Sequence, residues 1–66
     1  MFIVVEIQKN DTVATLASTH ETRNEAENKY HTVLAYAAVS TLPKHGAVML
    51  DEDGIYIKSE CFEHEA

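Results

Sequence analysis

The sequence predicts an α+β fold: a single small domain of strand, strand, helix, strand and strand, with an antiparallel or mixed sheet and the one helix on one face. Three observations lead there. A β-branched run opens the chain at Phe2, an S/T-x-x-E box at Thr22 announces a helix, and Asp51-Glu52-Asp53-Gly54 marks a tight turn before the last apolar run.

Phe2 to Gln8 reads as the first strand, with Ile3, Val5 and Ile7 on one face and Phe2, Val4 and Glu6 on the other. Lys9, Asn10 and Asp11 supply a polar turn into Thr12 to Thr19, a second strand rich in Thr and Ala that pairs with the first as a hairpin. Thr22-Arg23-Asn24-Glu25 fits the capping box, in which each end satisfies a free backbone amide of the other. The helix is expected to run to about Thr41, because Pro43 biases Leu42 away from helical angles. Ala26, Tyr30, Val33, Leu34, Ala37 and Thr41 share one side of it at the helical repeat, and that stripe is expected to lie on the sheet. Gly46 to Leu50 and Ile55 to Phe62 are the third and fourth strands, joined by a turn in which Gly54 takes positive φ at no steric cost. Residues 63 to 66 read as a frayed tail.

Composition narrows the function classes. A chain of 66 residues is one domain, and it buries only about 60% of its unfolded surface, so its core needs support. One cysteine, Cys61, rules out an internal disulfide. The four histidines are scattered in sequence, so no metal site and no cofactor is expected. Association with other copies remains as the means of completing the core. The net charge of −6, from 11 acidic against 5 basic side chains, opposes binding to nucleic acid or to anionic membranes. No apolar stretch approaches the roughly 20 residues of a membrane span, and the Phe2 to Val5 run reads as a strand rather than a signal peptide. A cytoplasmic protein is expected.

The helix changes character halfway along. Its first half is polar opposite the sheet stripe, at Glu25, Asn28 and Thr32, whereas Val33 to Val39 is apolar or aromatic throughout. Projected at about 100° per residue, Ala35, Tyr36, Val39 and Leu42 point away from the sheet. With His31, four residues before Ala35, they form the expected homo-oligomer interface. Covering them would remove on the order of 200–300 Å² per subunit from water.

Few residues suggest chemistry. Asp51, Asp53, Gly54 and Glu60 match positions of a calcium-binding EF-hand loop, but Met49 falls at its first ligand position and strands replace the flanking helices. Cys61 shares alternation with Ile55 and Ile57 and reads as a small buried hydrophobe. With two glycines there is no phosphate loop, and no enzymatic activity is expected. The ligand candidates are Arg23 in the first helical turn, Lys44 and His45 in the turn after the helix, and Tyr36 as a flat stacking surface.

Lys29-Tyr30-His31, the small-residue run from Ala35 to Ser40, Lys44-His45, Ala47-Val48, Leu50, Asp53-Gly54, Glu60 and His64 carry a resemblance. Across about its last two thirds the chain is similar to a group of short accessory proteins of phages and prophages of Gram-positive bacteria. None of these motifs is catalytic, so their specificity is moderate. The resemblance implies a phage protein in the cytoplasm of its bacterial host. By analogy with small phage proteins of comparable architecture the lead expectation is an anti-defence sponge, an oligomer that sequesters a small anionic, nucleotide-derived immune signal, and the few basic and aromatic groups available to it are Arg23, Lys44, His45 and Tyr36. Two alternatives stand beside it: an acidic protein that inhibits a host defence protein, and an oligomeric scaffold or regulator with no small ligand.

Overall fold

A computed structural model describes residues 1–64. The elements follow in the order β1 (Phe2–Lys9), β2 (Val13–His20), α1 (Arg23–Ala38), β3 (Lys44–Asp51) and β4 (Tyr56–Glu63). The four strands form one sheet in the order β2-β1-β3-β4, and every neighbouring pair is antiparallel. Of the two sheets the sequence allows, the antiparallel one forms. The helix carries the chain from β2 over to the far side of β1, so β1 and β3 are central and β2 and β4 are edges.

Local chemistry sets the helix ends. Thr22 is extended at φ −116°, ψ 156°, and its Oγ1 accepts the Glu25 amide at 3.2 Å. This is one half of the expected box; among the described residues the Glu25 carboxylate does not return the bond. The helix stops at Ala38, three residues short of Thr41. Val39 N–H turns back to the Tyr36 carbonyl at 3.2 Å, and Ser40 Oγ accepts the Leu42 amide at 3.1 Å. A serine side chain that offers the backbone such a bond competes with helix continuation.

The stripe Ala26, Tyr30, Val33, Leu34 and Ala37 is buried as its spacing requires, while Thr41 lies beyond the helix and is exposed. Against it pack Val4, Ala47 and Met49, with Phe2, Ile57 and Phe62 at the margin. In the last hairpin Gly54 adopts φ 81° and Asp51 Oδ1 accepts the amides of Asp53 and Ile55 at 2.9 Å each. That carboxylate is occupied in shaping the turn, as a hairpin reading of these acids requires.

β4 departs from simple alternation. Met49 pairs with Lys58 but Leu50 pairs with Tyr56, which leaves Ile57 as an unpaired extra residue. The slip puts Ile57 and Phe62 on the helix side and turns Cys61 to the other face, where it is exposed. The expectation of a buried Cys61 beside Ile57 is thereby corrected. Strand boundaries also shift: β1 runs to Lys9, β2 is Val13–His20 and β4 starts at Tyr56. Lys44 and His45 open β3 rather than occupying a turn, and Glu63 belongs to β4 while His64 N–H donates to the Pro43 carbonyl at 2.8 Å. Of the expected tail, residues 65 and 66 lie outside the described residues. No helix among those described is long and apolar enough to cross a membrane.

Candidate functional site

Because partners in an antiparallel sheet point to the same side, the register divides the strands cleanly. Val4 pairs with Met49 and Glu6 with Ala47 on the side under the helix. Ile3 pairs with Leu50, Val5 with Val48 and Ile7 with Gly46 on the opposite side, which no element among the described residues covers. Val13, Thr15, Ala17 and Thr19 of β2 extend this face at one edge, and Tyr56, Ser59 and Cys61 of β4 at the other. No side chain in this central area is charged. An antiparallel sheet with one wet face ordinarily alternates apolar with polar, and this one does not.

Charge returns at the ends. Lys9 and Lys44 stand directly opposite each other in the β1–β3 register and share the open face, with Glu63 next across the sheet. Lys44 Nζ lies 3.6 Å from Glu63 Oε1 in an exposed pair, whereas Lys9 has no ion-pair partner among the described residues. Two like charges directly opposite destabilise a strand pair, and the Lys44–Glu63 pair offsets part of that cost. Between this rim and the apolar centre lies a shallow cavity of about 150 Å³, lined by Ile7, Gly46, Val48, Ser59 and Cys61 among others. Its floor depends on Gly46. A Cβ there would stand 2.7 Å from Cys61 Cα and press on the Glu60 carbonyl oxygen, both of them backbone.

On the helix side lie two polar clusters. His45, 5% exposed, makes a 2.6 Å hydrogen bond from Nε2 to Glu6 Oε2, and Gln8 Nε2 donates to the same oxygen at 2.9 Å. Burial pushes the Glu6 carboxyl up, but these two hydrogen bonds and the nearby His45 and Lys29 outweigh it, so it titrates below the ordinary range. The second cluster centres on Glu27. It accepts from Lys58 Nζ at 2.6 Å and has Arg23 at 3.8 Å and His31 at 3.7 Å. The Lys58 hydrogen bond is the main reason its carboxyl also lies below the usual value. Lys58 Nζ stands 4.9 Å from the Tyr30 ring centre, and burial raises the Tyr30 hydroxyl.

A carboxyl that titrates lower in the folded chain stabilises it fully above the ordinary value of 4.5, and the contribution fades as pH falls through the folded value. Thermal melts should therefore show Tm dropping as the pH is lowered through 4.5, and Glu6→Gln should flatten part of that drop. An unchanged acid limb in Glu6→Gln would remove Glu6 from the account.

The expected ligand residues are not gathered. Arg23 sits at the helix start, beside Phe2 and Glu27, at the opposite end of the sheet from Lys44. At about 1.5 Å per residue the 16-residue helix separates its two ends by about 24 Å. His45 is enclosed with Glu6 and presents no surface to a ligand, which corrects its reading as an exposed turn residue. Tyr36 and Val39 on the helix back are 68% and 80% exposed; Ala35 and His31 are exposed and Leu42 is half-buried. Lys9, expected in the turn, closes β1 instead, and the open face was not among the expected sites. The signal was available in Phe2-Ile3-Val4-Val5, apolar on both faces of a strand when one helix can cover only one. No protein-family model matches this chain, and no curated protein or solved structure is significantly similar to it.

Proposed function

We propose that this chain is a non-enzymatic binding protein that works as a homo-oligomer, assembled through the open face of its sheet. The observation that carries the reading is an uncovered face whose centre holds Ile3, Val5, Ile7, Val48 and Leu50 and no charge. Four strands about 4.8 Å apart, each 8 residues long at about 3.3 Å per residue, present a footprint of about 500 Å². Two such faces bury about 1,000 Å², the lower bound for a specific interface. The helix back, at about 200–300 Å², offers only about half as much per subunit. An apolar centre closed at its end by Lys9, Lys44 and Glu63 also has the usual arrangement of an interface core and its polar rim.

The same rim favours capture of a small anion where subunits meet. Lys9 and Lys44 face the same side across adjacent strands, and a second copy would bring its own rim or apolar centre against them. This is the site at which a nucleotide-derived signal would be held if the chain acts as a sponge, a role that rests on analogy with small phage proteins. Native mass spectrometry after incubation with lysate of infected cells tests both parts. Multiples of the 7.4 kDa chain with a retained phosphate-containing molecule are expected, and Lys9→Glu with Lys44→Glu should release the molecule while leaving the multiple intact. A retained host protein in place of a small molecule would favour the inhibitor role, and a lone 7.4 kDa species would overturn the assembly.

A further inference from the structure

The two edges of the sheet are built differently. β4 carries Lys58, Glu60 and Glu63 and is broken by the extra residue Ile57, all of which discourage another strand from pairing there. β2, Val-Ala-Thr-Leu-Ala-Ser-Thr-His, has no acid, lysine, arginine or proline along its 8 residues. It pairs in unbroken register with β1 from Lys9↔Val13 to Phe2↔His20, so it is straight and regular. Alternate residues of such a strand turn their N–H and C=O groups toward β1, and the rest point outward with no strand to receive them. The helix packs mainly over Val4, Ala47 and Met49 of β1 and β3 and touches β2 less, leaving it exposed from Val13 to Ala17 on both faces. No element among the described residues lies against the outer side of β2.

We infer that the β2 edge pairs with the β2 edge of a second copy, antiparallel about a twofold axis, to give one continuous eight-stranded sheet. This contact is separate from the one through the open face. The occupant is argued from the strand itself. An uncharged strand meets its own copy with no like-charge opposition, and Val13, Thr15 and Thr19 suit a pleated neighbour. A twofold axis relating identical antiparallel edges must stand perpendicular to the sheet. It keeps both helices on one side and joins the two open faces on the other into a single apolar surface of twice the size. Where the twofold axes of edge pairing and face pairing intersect, the two contacts together close an assembly of four chains.

On such an axis one residue faces its own copy at about 4.5–5.5 Å between Cβ atoms, while residues one place away stand farther apart or on the other face. Single cysteines at Thr15, Leu16, Ala17 and Ser18, each with Cys61→Ser, report that geometry through oxidative crosslinking on non-reducing gels. One position should form a linked dimer at least roughly tenfold faster than the helix-surface control Asn28→Cys, with a steep fall at its neighbours. Circular dichroism checks that each variant is folded. The same peak should persist when Val5→Glu removes the open-face contact, which separates this inference from the proposed function. Crosslinking no faster than the control at all four positions, an even rate across them, or loss of the peak with Val5→Glu would overturn it.

Discussion

Val5→Glu combined with Val48→Glu is expected to dissolve the face-to-face contact while leaving each chain folded. The two valines stand directly opposite in the β1–β3 register at the middle of the open face. In a separate chain both glutamates would be half-exposed and hydrated. In the assembly each would be buried against apolar side chains with no base within the central area. Leaving a charge buried without a partner costs about 3–5 kcal/mol, which weakens association by roughly a hundredfold or more. Sedimentation velocity at micromolar concentration should show the shift to a slower species, and circular dichroism should show the fold retained. The matched change on the helix back, Val39→Glu, should move sedimentation far less, because that residue is 80% exposed and its surroundings offer less area to bury. The reverse ranking would transfer the interface to Ala35, Tyr36, Val39 and Leu42.

Met49→Ala should have the largest effect on the fold. Met49 is fully buried between the helix stripe and the centre of the sheet, among Val4, Ala47, Tyr30 and Val33. Cutting a buried side chain of this size to alanine removes apolar contacts and leaves a cavity, at about 2–5 kcal/mol. A 66-residue domain has a total stability of about 3–10 kcal/mol, so a loss of this size removes about half of its reserve. Urea unfolding should show the midpoint lowered to about half that of the unaltered chain. A midpoint shifted by less than an equivalent of about 1 kcal/mol would show that the centre of the core lies elsewhere.

Much of the fold was legible because its signals are local. Thr22 and Glu25 mark the helix start from three residues apart, the stripe from Ala26 to Ala37 follows one period, and Gly54 identifies the last turn by its conformational freedom. The site was not legible in the same way, because each part of it depends on partners distant in the chain. His45 reads as a surface residue until strand pairing brings it to Glu6, 39 residues away. Lys9 and Lys44 are ordinary charges until β1 and β3 align them. Cys61 and Phe62 exchange faces because of one extra residue at Ile57, and alternation read from the sequence has no means of placing that slip. The apolar character of both faces of β1 was visible, but which face the helix would take was not. The helix covers Val4, and the branched aliphatics Ile3, Val5 and Ile7 are left facing outward.

The central claim is that a second copy covers this outward face. Isotope-filtered NOE spectroscopy on an equal mixture of carbon-13-labelled and unlabelled chains reads that contact at individual methyl groups. The account predicts intermolecular NOEs to the methyls of Ile3, Val5, Ile7, Val48 and Leu50. Intermolecular NOEs confined to Ala35, Val39 and Leu42, or none at all at millimolar concentration, would contradict it.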